Sequence, residues 1–297
     1  MKKEWFVKVI PLFFIAIGAI VYNFVVKDLI FPTETMEKEV SKVVSLPYDF
    51  DQYRTCLNDS YNENKKNYTN FIKTYRGCVE NYIGNKTFDK FRMGRFGEDK
   101  VFLPLKSSFN QSKCIWLTVG IGGDDQVEKL FKEKYPECQI FGVEASPDQY
   151  ANFSNYGTVI PYGVGVKSGN FTLTIRKNES YHDETVKVFA FPKLLDKFVK
   201  SRLVQYMTID IEGFEFGILE ALLPSKKLHK EGITFCQIDA ELHFNKTKIQ
   251  DILHKFDAQD SQYLPIWSQS FGEHEKVTWI NIENKRCRKA FNINQFL

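Results

Sequence analysis

The chain has 297 residues, 43% hydrophobic and 26% charged, with a formal net charge of +3. That suits one large domain with accessories around an ample core. Lys2, Lys3, Lys8 and Lys27 against Glu4 place the whole of that +3 within residues 1–27. The neutral body therefore lacks the electrostatic footprint of a nucleic-acid partner.

The first element is "VIPLFFIAIGAIVYNFVV", Val9 to Val26, 18 residues without a charge. At about 1.5 Å per residue it just spans a bilayer core of roughly 30 Å. Lysines precede it, at 2, 3 and 8, which favours a cytoplasmic N-terminus. The expectation is a signal anchor over 9–26, a cytoplasmic tail over 1–8, a stem over 27–48 and a type II orientation. The body would then lie in the lumen of the endoplasmic reticulum or Golgi. A cleaved signal peptide is the alternative, since Ala16-Ile17-Gly18 offers a small-x-small site.

Acceptor sequons for N-glycosylation stand at Asn58, Asn67, Asn85, Asn110, Asn152, Asn170, Asn178 and Asn245, more than chance supplies. Six cysteines, an even count, fit disulfides in an oxidising lumen. Cys56 and Cys78 bracket a polar segment and are the expected pair. Cys114 and Cys236 lie inside apolar strand patterns, where a buried free thiol is an equal alternative. No zinc spacing of Cys and His occurs, and no metal site is assigned.

Residues 49–90 read as a small helical preface, and strand and helix signals alternate through 91–297. "CIWLTV" (114–119) is an apolar strand ended by "GIGGDD", and "DQVEKLFKEKY" (125–135) has helical spacing. "QIFGVE" (139–144) is a second strand. "SPDQYANF" (146–153) should open a helix, with Ser146 as N-cap and Pro147 at the first position. "GTVIPYGVGV" (157–166) is a third strand region, and "FTLTIR" (171–176) alternates like a hairpin strand. "QYMTIDI" (205–211) and "ITFCQIDA" (233–240) are further main strands, each followed by a helical pattern. "YLPIWSQSF" (263–271) and "KVTWINI" (276–282) close the chain as an antiparallel pair. The alternation predicts an α/β fold, a doubly wound and mainly parallel sheet, with ligands at the carboxyl ends of its strands.

Polar groups gather at those ends. Gly120 and Gly122 follow the first strand, and Glu144 ends the second, where an acid can accept both hydroxyls of a ribose. A full G-x-G-x-x-G pattern fails at Asp125, so the cofactor expected is S-adenosylmethionine and not a dinucleotide. Asp210 and Glu212 end the fourth strand. Glu241 and His243 follow the fifth, with His243 as the candidate base. Glu215 reads as a helix N-terminal acid that complements the dipole. Four acids and a histidine could instead hold a divalent cation.

"LTVGIGGDDQVEKLF", "IFGVEASP", "MTIDIEGFEFGILEAL" and "IDAELH" resemble the successive motifs of FkbM-type methyltransferases over roughly residues 90–285. The likeness is nearest the membrane-anchored animal branch, and its most specific part is the D-x-E-G-x-E element at Asp210, Glu212, Gly213 and Glu215. The resemblance implies a seven-stranded, Rossmann-like class I methyltransferase fold, S-adenosylmethionine, and O-methylation of a hydroxyl acceptor, with a glycan as the guess. Cofactor contacts would fall on Thr118, Gly120, Gly122, Glu144 and Asp210. Thr118 departs from the family, many of whose members carry an acid there to hold the methionine end. Two other readings compete. One is a lumenal metal-dependent glycosyltransferase gripping a sugar nucleotide through "DIE". The other is a non-catalytic domain that kept the fold, for which Thr118 is the main reason.

Overall fold

The computed structural model describes residues 50–293, apart from Asn85, Phe96, Asn178 and Glu179. The expected anchor and stem lie outside the described residues. Among these, no helix is long and apolar enough to cross a membrane.

Unbroken apolar strands build the centre. β3 (Ile115–Val119) and β10 (Thr234–Leu242) are buried at every position, as strands covered on both faces must be. They belong to a seven-stranded sheet with β4 (Gln139–Val143), β5 (Thr158–Ile160), β9 (Leu203–Ile209), β11 (Tyr263–Phe271) and β12 (His274–Asn281), in the order β11-β12-β10-β9-β3-β4-β5. A separate antiparallel pair, β1 (Asp89–Arg92) and β2 (Asp99–Phe102), precedes it in the chain. The run from β10 to β5 is parallel, and β12 pairs antiparallel with both β10 and β11. Strand order reverses at β3 and β9, which opens a crevice at their carboxyl ends. The expected doubly wound, mainly parallel sheet is therefore what forms.

Aromatic packing locks the sheet to its flanks. Phe131, on the helix Gln126–Lys134, packs at a tilt with its ring centre 4.7 Å from that of Trp116 and 5.0 Å from that of Phe102. Each such fully buried ring contributes about 1.5–3 kcal/mol of apolar burial. The preface forms two helices, Phe50–Glu63 and Tyr68–Ile83, whose Tyr53, Leu57, Phe71 and Tyr75 join the same core. Arg54 is buried there and donates to the carbonyls of Asp257, Ala258, Ser261 and Tyr263. It thereby closes the C-terminal end of the helix Lys246–Asp257.

Several elements differ from expectation. The segment after Ser146 makes two short 3-10 turns, Pro147–Gln149 and Phe153–Asn155, with no longer helix. Ala151 between them is left-handed (φ 47°), and the Ser146 hydroxyl donates to the Arg176 carbonyl instead of capping. The 157–166 region splits into β5 and a separate β6 (Gly163–Gly165). β6 joins the hairpin of β7 (Gly169–Lys177) and β8 (Ser180–Ala190) in a second sheet of order β6-β8-β7. Cys56 pairs with Cys78 as expected. Cys114 and Cys236 are not free thiols: they bond to Cys138 and Cys287.

Candidate functional site

The β3 to β9 crevice is a cleft with about 840 Å³ of empty space, open solvent included. Its floor is the turn after β3. Gly120 has φ +91°, and a Cβ there would lie 2.0 Å from the backbone oxygen of Asp210. Only glycine lets the two strand ends come this close. Gly122 (φ +74°) has open space at the Cβ position. Glu144 follows β4 and lines the cleft. Its Oε1 accepts the Ser146 N–H at 2.8 Å and its Oε2 the Ile121 N–H at 3.3 Å. The Gly122 and Ala145 N–H groups face it as well, so ligand hydroxyls would share its lone pairs with those backbone donors. Burial pushes the Glu144 carboxyl above its usual range, against the pull of those backbone donors.

Thr118 does not reach the cleft. It is 1% exposed inside β3, and its hydroxyl turns to the Gly120 carbonyl at 3.4 Å. The pleat presents its neighbour Val119 instead. Arg95, which the sequence did not single out, lines the same cleft.

Asp210 and Glu212 also line it. The sequence places them at the end of the fourth strand, but β9 stops at Ile209 and a turn brings them together. Glu212 is left-handed there (φ 51°). Both carboxylates point at the imidazole of His243, with Asp210 Oδ1 3.3 Å and Glu212 Oε2 3.8 Å from Nε2. Glu241 Oε1 lies 3.8 Å from the same nitrogen. His243, expected to face an acceptor, is 2% exposed and stands behind Asp210 and Glu212. Burial lowers its pKa, but hydrogen bonds to Asp210 and Glu215 more than reverse that and raise it to about 11. Burial alone would raise Asp210; the hydrogen bond from His243 and the Lys100 charge hold it below the usual carboxylate range. Burial, then the charges of Asp210 and Glu98, push Glu241 up to about 8.

Glu215 does more than complement a helix dipole. It is completely buried, accepting the N–H of Gly213 at 2.8 Å and that of His243 at 2.9 Å, with His243 Nδ1 at 3.2 Å. The sequence also gave no hint of the outer members. His274, at the start of β12, has Nδ1 2.6 Å from Glu241 Oε1. Lys276 Nζ lies 3.1 Å from Glu98 and 3.7 Å from Glu241. The Tyr181 hydroxyl of the β8 strand donates to Glu212 at 2.7 Å. Phe244 is 60% exposed beside His243 and left-handed (φ 50°), an uncommon state for a bulky side chain that concentrates at functional sites. Asp239 serves the fold, accepting the Val101 N–H and the Thr278 hydroxyl.

Among solved structures, the "delta-N METTL16 MTase domain" is 11% identical with a TM-score of 0.35, covering 58% of this chain and 74% of that one. The N-terminal domain of human METTL16 in complex with SAH is 10% identical, TM-score 0.31, covering 80% and 84%. The plantazolicin methyltransferase BpumL in complex with SAH is 9% identical, TM-score 0.28, covering 78% and 97%. No residue role is carried over from likenesses this distant. No curated protein sequence matches the chain. The sequence model described as "Methyltransferase FkbM domain", by contrast, matches residues 62–275. That match includes the glycine turn, Glu144, the D-x-E-G-x-E element and His243, and it covers well over half of the chain: the protein belongs to the FkbM methyltransferase family.

Proposed function

We propose that the protein transfers a methyl group from S-adenosylmethionine to a hydroxyl acceptor. The observation that carries this reading is the meeting of three strand ends in one cleft. The Gly120 turn, Glu144 and the Asp210–Glu212 pair all line it. These residues fit the cofactor: Glu144 presents a cleft-lining carboxylate to the ribose, Gly122 leaves space beside the turn, and Asp210 and Glu212 supply negative charge for a cationic group. The cofactor, when bound, supplies an electrophilic methyl group on a sulfonium. Asp210 and Glu212 are the cleft-wall acids that meet an acceptor hydroxyl. An acceptor hydroxyl would lose its proton to one of these carboxylates, and from there to solvent, as its oxygen takes the methyl group and the sulfur–methyl bond breaks to leave a thioether. Holding the partners in line supplies several kcal/mol, and a positioned base about 10²–10⁴-fold in rate. His243, Glu215 and Glu241 orient those acids from behind. The family match removes the support for a glycosyltransferase.

Glu144→Ala is expected to weaken S-adenosylmethionine binding at least tenfold, with the fold intact. Two ribose hydroxyls lose a charged acceptor worth about 1.5–3 kcal/mol per hydrogen bond. Calorimetry on both proteins checks this, and equal affinity would put the cofactor elsewhere.

The compartment belongs to the same proposal: a lumenal body behind an N-terminal anchor, with a glycan as acceptor. The three disulfides support an oxidising lumen. Asn67, Asn110, Asn152, Asn170 and Asn245 are exposed. Asn67, Asn110 and Asn245 cap helices through side-chain acceptors, which leaves the amide nitrogen for a sugar. Endoglycosidase treatment of protein made in a secretory host should lower its mass. An unshifted mass would refute the lumenal placement.

A further inference from the structure

We propose that the polar cluster behind the cleft binds one divalent transition-metal cation, held by His243 Nε2, His274 Nδ1 and the carboxylates of Asp210, Glu212 and Glu241. His274 joins these acids and His243 only through the antiparallel pairing of β12 with β10.

Geometry points to the ion. Ligand atoms about 2.0–2.2 Å from a common cation sit about 3 Å apart when adjacent and about 4.2 Å when opposite. Three carboxylate oxygens surround His243 Nε2 at 3.3, 3.8 and 3.8 Å. The Asp210 contact is at the long end of hydrogen bonding and the two at 3.8 Å lie beyond it, while all three spacings match ligands about a shared centre. One ring proton could satisfy only one of the three. The candidate ligand atoms of Glu241, His243 and His274 all lie within 4.8 Å of one another, as do those of Glu98, Asp210 and Glu241.

Two further features are independent of that spacing. His243 turns its other nitrogen, Nδ1, to the fully buried Glu215 at 3.2 Å. A carboxylate that fixes the far nitrogen of a histidine is the usual support of a metal ligand. Glu98 is 5% exposed beside Asp210 and Glu241, and its Oε2 is ion-paired with Lys276 Nζ at 3.1 Å. Charge points the same way. Glu98, Asp210, Glu212, Glu215, Asp239 and Glu241 crowd around Lys276 and His243, with Lys100 as the other buried cation. Two imidazoles among carboxylates suit Mn²⁺, Fe²⁺ or Zn²⁺ over the all-oxygen preference of Ca²⁺ and Mg²⁺. A cation there would lower the pKa of a hydroxyl bound at the Asp210 and Glu212 wall. That purpose, though not the site itself, rests on the methyl-transfer reading.

The test uses the full chain, stripped with a chelator and titrated with Mn²⁺ while the free six-line electron paramagnetic resonance signal is followed. One Mn²⁺ per chain should be retained, Zn²⁺ should displace it, and Mg²⁺ at the same concentration should not. His274→Ala and Glu241→Gln should each weaken retention at least tenfold, with circular dichroism unchanged. His274 stands partly exposed, so its variant keeps the core. Failure to retain Mn²⁺ or Zn²⁺, or equal retention in both variants, overturns the proposal. Calorimetry with S-adenosylmethionine on the same samples separates the two ideas. Cofactor binding without metal retention would overturn the ion and leave the methyl donor standing; retention without cofactor binding would do the reverse.

Discussion

Gly120→Ala is expected to abolish cofactor binding, with affinity falling more than a hundredfold, and to lower stability by about 3 kcal/mol or more. The new Cβ would stand 2.0 Å from the Asp210 oxygen and 3.1 Å from its carbonyl carbon. Both are backbone atoms at the end of β9, tied down by the Asp210 N–H to the Val119 carbonyl at 2.9 Å. They cannot swing aside as a flexible side chain would, so the strand ends must part. A φ of +91° adds strain for any residue with a Cβ. Gly122→Ala is the control. Its φ is +74°, but no atom lies within 4 Å of the added Cβ, so only about 1–2 kcal/mol of left-handed strain applies. For a body of this size that is a melting-temperature drop of a few degrees. Thermal melts and S-adenosylmethionine calorimetry on the two variants decide the matter. If Gly120→Ala binds as the parent does, the cleft floor is not the cofactor site.

What the sequence revealed is what strand alternation and turn chemistry can carry. "CIWLTV" and "QIFGVE" are short, apolar and followed by polar turns, so their strands and the placement of Glu144 were legible. Asp210, Glu212 and His243 were likewise findable because they follow strands that parallel pairing makes neighbours. Contacts set by register were not. His274 and Lys276 reach Glu241 because Glu241 pairs with Lys276 and Leu242 with Glu275 across β10 and β12. No local pattern in "FGEHEKV" states that register. The Cys114–Cys138 pairing is the same case. Ile115 lies beside Gln139 in the parallel β3–β4 pair, so the residues before them align. An apolar setting alone does not separate a thiol from a half-cystine. Ser146-Pro147 had the form of a helix start, but tertiary contact won: its hydroxyl found the Arg176 carbonyl of the β7 strand.

The carboxylates of the D-x-E-G-x-E element divide by what they touch, and two substitutions should divide with them. Asp210 is on the cleft wall with 29% of its side chain exposed, and its Oδ1 lies 3.3 Å from His243 Nε2. Asp210→Asn keeps shape and most hydrogen bonding while deleting the charge that meets an acceptor proton. Turnover should fall by about 10²–10⁴-fold, the range a lost base accounts for. The melting temperature should fall by no more than several degrees: the charge partner of buried His243 is lost, but the 29% exposure of the Asp210 side chain screens part of the effect. Glu215 is the opposite case. With no exposure at all it accepts the Gly213 and His243 N–H groups and faces His243 Nδ1. Glu215→Ala would strand all three donors in the core, at about 3–5 kcal/mol for a broken buried charged network. Its melting temperature should drop by roughly 10 °C or more, well before any question of chemistry arises. Melting temperature and turnover per folded molecule, taken on the same preparations, read both arms. If Asp210→Asn instead melts far lower while turning over normally, the acid belongs to the scaffold and catalysis must be sought at another strand end.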